Sequence, residues 1–294
     1  MSLQKLVRTA ATLSIGKLMT AASVLLVLSW VCGAAEPRIS IPSYNQFTPD
    51  DELKIGGALA HDFESGREIL SNPLLDHYLN DLVKRLGKAS LRPELVYTCR
   101  VVNTNDVNSY SFPGGTIFVT TGLLAFVEDE SELASVLAHE IGHIAGRHYL
   151  NRLSLEMRSK SLWDQTRKML PLLDSAQVQQ AFQKIGVPIT GLAVQQYDRS
   201  NENEADLLAV YNLVRAGWNP LGEVRALDRL QNPGGSQGET ATMLSVHPNP
   251  TDRSRAVSAE IKTMALASSL DDNSLSFRAM KTGLSLLPKP GRGR

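Results

Sequence analysis

The chain has 294 residues, 43% of them hydrophobic and 20% charged, and its 30 basic and 30 acidic side chains balance to a formal net charge of zero. That length supports a sizeable core and the composition is globular rather than disordered. The charge balance lacks the basic excess of a nucleic-acid binder, and two cysteines, Cys32 and Cys99, exclude a disulfide-rich scaffold and a cysteine-ligated zinc cluster.

Residues 1–35 carry no acidic side chain, and Lys5, Arg8 and Lys17 are their only charges. An apolar run over 18–31 is followed by the small residues Gly33, Ala34 and Ala35 and then by Glu36-Pro37. A basic start, an apolar middle and a small-residue cleavage site predict a secretory signal peptide over 1–35. The expected location is therefore exported: periplasmic or envelope-associated. The run is shorter than the ~20 residues of a spanning helix, and an uncleaved anchor is the alternative. Cys32 raises a lipoprotein reading, against which stands the bulky Trp30 just before it.

Residues 36–48 read as an extended linker. Thr48-Pro49-Asp50-Asp51-Glu52 then has the hydroxyl, the proline and the acids of a helix start. The helical spacing of 50–70 is interrupted at Gly56-Gly57, and a second helix over 73–87 places Leu74, Leu75, Tyr78, Leu79, Leu82, Val83 and Leu86 on one face. His61 and His77 have no partner at metal-ligand spacing and read as surface residues. Residues 95–102 alternate as a strand, with Cys99 a small buried hydrophobe. Pro113-Gly114-Gly115 marks a tight turn before the β-branched strand 116–121. The stretch 109–124 reads either as a hairpin in the core or as an edge strand lining a cleft, free to pair with an extended peptide.

The helix that follows carries His139-Glu140-Ile141-Gly142-His143. Its two histidines, four apart, share a face one turn from each other. Two imidazoles at that spacing can bind one zinc ion, and Glu140 can reach a water beside it. Leu133, Val136, Leu137, Ile141 and Ile144 make the helix apolar enough to be buried. Burying two histidines and a glutamate without partners costs several kcal/mol, so a metal or a dense hydrogen-bond network is required. A third ligand is needed for a catalytic zinc site. The pattern H-E-x-x-H-x-x-G-x-x-H fails, because Tyr149 holds the last position and His148 falls one residue early. Downstream, Glu202 and Asp206 are four apart on one helical face. Glu202 can complete the ligand set, and Asp206 can accept from the outer nitrogen of a ligand histidine. Glu204 falls on another face and reads as a surface or ion-pairing residue.

Together with Phe112-Pro113-Gly114-Gly115, Thr121-Gly122-Leu123 and Tyr197-Asp198-Arg199-Ser200-Asn201-Glu202-Asn203-Glu204-Ala205-Asp206, the motif resembles the HtpX/BepA-type family of zinc metalloendopeptidases, of the gluzincin class, over roughly residues 45–262. Asp198, where serine is commoner, is a departure at a position that is not a ligand. The resemblance implies an α+β, mainly helical fold: a zincin-like catalytic domain over 49–267, with a small β-sheet next to the active-site helix and a C-terminal tail over 268–294. It implies one zinc ion per chain, held by His139, His143 and Glu202, with Glu140 as general base and Asp206 behind a ligand. His247-Pro248-Asn249-Pro250-Thr251-Asp252-Arg253 is similar to the family's H-P-x-x-x-x-R segment. By that resemblance His247 is a candidate regulatory zinc ligand that caps the metal; its other reading is a plain loop histidine. Arg253 either stabilises the cleft or a developing oxyanion, or anchors the helix.

HtpX-like members carry membrane spans between the two motifs, where this chain has breaks at Pro171 and Pro188 and an apolar run over 185–194 too short to span. Residues 231–240 read as a flexible loop and 251–267 as a closing helix, and the pattern is lost after Ser268. The helical repeat array of BepA-like members is not expected, nor its adaptor functions. The implied function is hydrolysis of misfolded or unassembled envelope proteins, with unfolded or misassembled proteins as substrates, peripheral membrane association and no nucleic acid. The alternatives are a chaperone-like binding protein with a latent zinc site, and a metal-free fold that has kept its histidines.

Overall fold

The structure, a computed structural model, describes residues 45–157, 197–232, 237–266 and 270–290, with the single positions 168 and 177. The signal, anchor and lipoprotein readings, most of the linker, and the proline breaks and short apolar run between the motifs lie outside these residues. No helix among the described residues is long and apolar enough to cross a membrane.

Helix α1, Pro49–Ser65, opens with the predicted cap as a reciprocal box. The Thr48 hydroxyl accepts from the Asp51 amide at 3.2 Å, and the Asp51 carboxylate accepts from the Thr48 amide at 2.9 Å. The expected interruption at Gly56-Gly57 does not occur, and the helix runs through it. A Cβ at Gly56 would stand 1.7 Å from the Pro113 carbonyl oxygen. Glycine is there to let a hairpin turn lie on the helix, not to end it. Helix α2, Pro73–Ala89, buries Leu75, Leu79, Leu82, Val83 and Leu86. Leu74, expected on that face, is 84% exposed; as the neighbour of Leu75 it is rotated about 100° away from it.

Four strands form one mixed sheet in the order β1-β2-β4-β3. These are β1 Ile69–Leu70, β2 Thr98–Val102, β3 Ser109–Phe112 and β4 Thr116–Thr120. β2 and β4 are parallel, and the outer pairs are antiparallel. The stretch 109–124 is thus both things read from it: a hairpin, and a source of an edge strand. The edge is β3, while the β-branched β4 lies between β2 and β3. Gly114 and Gly115 make the turn at φ 84° and 112°, a region that side chains disfavour. Cys99 is buried on β2, as expected of a small hydrophobe, and burial pushes its thiol well up.

After α3, Thr121–Phe126, comes α4, Glu130–Ala145, capped by Asp129 and buried at every position. It packs against α2, β3, α6 and α7. Helix α5 is His148–Glu156, α6 Arg199–Ala216, α7 Leu221–Gln231, α8 Gln237–Val246, α9 Pro250–Ile261 and α10 Leu275–Gly283. Three expectations change here, the first being the closing helix read over 251–267, which ends at Ile261. The second part of the expected loop 231–240 is the start of α8, because Gln237-Gly238-Glu239-Thr240-Ala241 leaves the Pro-Gly-Gly run behind. Beyond Ser268, where no pattern was read, α10 buries Phe277 and Met280 in the main hydrophobic cluster. Lys281 of α10 donates to the last carbonyls of α3 and its cap, those of Leu124, Ala125 and Val127.

Candidate metal centre

The site is made by α4 and α6, which approach so closely that only glycine fits at the crossing. A Cβ at Gly142 would be 2.8 Å from the Ala205 carbonyl oxygen. Gly142 lies between the two motif histidines, and Ala205 between Glu202 and Asp206, so the crossing brings the two motifs face to face.

His139 Nε2 and His143 Nε2 stand 3.0 Å apart. Glu202 Oε2 is 3.6 Å from His139 Nε2, and Glu202 Oε1 is 3.4 Å from His143 Nε2. His247 enters from the turn before α9, with Nδ1 3.3 Å from His139 Nε2 and 3.1 Å from Glu202 Oε1. One donor atom from each of these four buried residues lies within 4.8 Å of the others. The donor set fits zinc, which takes imidazole nitrogen and carboxylate oxygen in fours. The outer nitrogens support this. His139 Nδ1 is 2.9 Å from Asp206 Oδ1 and His143 Nδ1 is 2.8 Å from His148 Nδ1. If each outer nitrogen carries the proton, both Nε2 atoms present lone pairs to each other, and a cation between them removes the conflict.

The electrostatics agree with that assignment. Burial holds His143 well below its ordinary pKa, in the neutral form that a ligand needs. Burial works to raise Glu202, but the His247 and His143 rings outweigh it and keep the carboxylate ionised far below its usual range. His247 moves up, because the Glu202 charge outweighs the cost of burying the ring. Asp206 stays below its usual range as the Arg253 guanidinium offsets its burial.

Arg253, from α9, donates through Nε and Nη2 to Asp206 at 2.8 and 2.6 Å. Its Nη1 lies 2.8 Å from Glu202 Oε2. It is 3% exposed. All three nitrogens face these two acids, and Nη2 also lies 3.3 Å from His139 Nδ1.

Glu140 points from α4 toward β3. Its Oε1 accepts from the Ser109 hydroxyl at 2.6 Å and its Oε2 from the Ser111 hydroxyl at 2.5 Å. Two residues apart on the edge strand, those serines face the same way. They escaped the sequence reading, although Ser109-Tyr110-Ser111 shows the period of two that could have found them. Tyr197 was also missed; its ring stacks on that of His143 at 4.1 Å and 16°. Tyr149, at the rejected ligand position, is buried in a second hydrophobic cluster with Phe47, Leu150 and Leu153. His77 is 80% exposed beside Asp81, and His61 is exposed, as their surface reading requires.

Residues 73–261 match the family profile of peptidase family M48. The chain is 28% identical over 241 residues to the beta-barrel assembly-enhancing protease of Yersinia pestis, covering 80% of this chain and 49% of that one. To the protein of the same name from Escherichia coli K12 it is 26% identical over 225 residues, 75% of this chain and 46% of the other. The metalloprotease YcaL of Escherichia coli K12 is 27% identical over 197 residues, 67% of this chain and 74% of its own. The chain spans about half the length of the beta-barrel assembly-enhancing proteases it matches.

Proposed function

The chain belongs to peptidase family M48, whose zinc site it carries intact in His139, His143 and Glu202, and from that we propose a zinc-dependent endopeptidase acting on misfolded or unassembled proteins of the cell envelope. The observation that carries the reading is the convergence of two buried histidines and a buried glutamate from two helices, with Glu140 beside them. Zinc, when bound, supplies a Lewis acid that acidifies water and polarises a carbonyl. The protein's own groups do the rest. Glu140 takes the proton of the attacking water and returns it to the departing amine. Ser109 and Ser111 fix the carboxylate until substrate arrives. The side of β3 that no strand covers among the described residues pairs with an extended stretch of the substrate, as expected of a protease that acts on unfolded chains.

Envelope quality control draws its support from the relatives, named as beta-barrel assembly-enhancing proteases, and from the signal-like start of the chain. A second reading has an observation of its own. With His247 Nδ1 among the other three donors, these residues would offer a bound zinc four protein ligands and leave no position for water, which would be a latent site. The two readings separate in one experiment, zinc content and casein cleavage for wild type, Glu140→Gln and His247→Ala. Glu140→Gln is expected to hold one zinc and lose cleavage by about a hundredfold or more, and His247→Ala to cleave at least as fast as wild type. Normal cleavage by Glu140→Gln sinks the protease assignment. Zinc without cleavage in both the wild type and His247→Ala supports the binding protein.

A further inference from the structure

His148 is not one of the metal's donors, and it is fully buried. The chain is bent to put it there. Arg147 adopts a left-handed φ of 54°, an uncommon conformation for a residue with a side chain. Gly146 leaves room for the ring, since a Cβ there would be 2.4 Å from His148 Nε2. The result is the contact of 2.8 Å between His143 Nδ1 and His148 Nδ1. On its far side His148 Nε2 has no hydrogen-bond partner among the described residues, and Glu204 Oε2 stands 3.6 Å away. Glu204 Oε1 is likewise buried without a partner.

The order of protons follows from the donor set. His143 faces the other ligands through Nε2, so that atom offers a lone pair and the proton is on Nδ1. Between two Nδ1 atoms one donates and the other accepts; His143 therefore donates and His148 accepts. A neutral His148 then carries its own proton on Nε2, the atom turned to Glu204. His139 has the shorter version of the same arrangement, with Asp206 directly at its outer nitrogen. We propose that His148, backed by Glu204, is the positioning residue of ligand His143, so that each histidine ligand is oriented by a carboxylate, one directly and one through a second imidazole. The inference rests on the metal-site reading above, and neither residue touches substrate.

The test is zinc affinity by competition with a chromogenic chelator, alongside the melting temperature of the zinc-free protein and the visible spectrum of the cobalt-loaded one. His148→Leu fills most of the space but accepts no hydrogen bond, and is expected to weaken zinc binding 10- to 100-fold and to change the cobalt spectrum. His148→Gln offers an amide oxygen to His143 and is expected to recover much of the loss. Glu204→Gln, an isosteric change at the partly exposed end of the pair, is expected to weaken zinc binding several-fold. Wild-type affinity in His148→Leu overturns the proposal. So does an equal loss in His148→Leu and His148→Gln that follows their zinc-free melting temperatures, because His148 is then a packing residue. Wild-type affinity in Glu204→Gln overturns the carboxylate's part, a result available even if the His148 variants fail to fold. Absence of zinc binding in the wild type is a different result, and fails the metal site itself.

Discussion

Glu223 is 3% exposed and lies where α7 meets α4, with a carboxylate oxygen within 4.8 Å of donor atoms of both His139 and Asp206. Burial, followed by the Asp206 charge, pushes its carboxyl well above the ordinary range. The folded protein therefore holds a proton that the unfolded chain releases near pH 4.3. Between that value and the raised folded one, the native state binds more protons, so this residue's contribution to stability falls as pH rises. Glu223→Gln removes that loss while keeping a hydrogen-bond donor. The zinc-free variant is expected to melt a few degrees above the wild type at pH 8 and to lose that advantage at pH 5. Thermal melts across pH check this, and a pH-independent difference goes against it. Nothing in the sequence around Glu223 marks it, for a lone acid on an amphipathic helix ordinarily faces water. Its environment is set by a helix packed on it from far along the chain. His139, Glu140 and His143 were legible for the opposite reason, since their spacing on one helix is itself the geometry.

At the scale of elements the site depends on how near α4 can come to α6. Gly142 is one of the two variable letters of the H-E-x-x-H motif, yet it carries the crossing. Gly142→Ala puts a methyl group against backbone, which cannot swing aside as a side chain can. The expected cost is about 1–3 kcal/mol in urea unfolding, with weaker zinc binding, because Glu202 is carried away from the histidines. Unchanged zinc affinity together with lower stability would limit the role of Gly142 to packing. The same reasoning explains what was hidden in Gly56-Gly57. Read locally, two glycines interrupt a helix; in the fold, one of them admits the Pro113 carbonyl. Caps were readable because they are local, as at Thr48, whereas close approaches are set by partners that the local sequence does not name.

At the scale of the whole molecule, the segment after α9 closes the fold. Asp271 pairs with Trp218, Ser131 donates from its amide to the Asp272 carbonyl, and Ser274 Oγ bonds Glu130 at 2.8 Å. The start of the metal-binding helix is thus tied to residues some 140 positions later. Phe277→Ala, which empties a buried site in the main cluster, is expected to cost about 3–5 kcal/mol. Denaturant unfolding of the zinc-free protein measures it, and a loss below about 1 kcal/mol would mean that α10 adds little. This segment was unreadable as structure because its helix is only nine residues long with two buried side chains, too short a run for periodicity to stand out.

Arg253 adds a consequence in time. Asp206 and Glu202 both answer to its guanidinium, and it lies 114 residues after His139. A chain still leaving the ribosome has made its H-E-x-x-H helix long before it has made the cation that holds the opposing acids in place. The order of synthesis therefore leaves the metal centre without that cation until α9 has emerged.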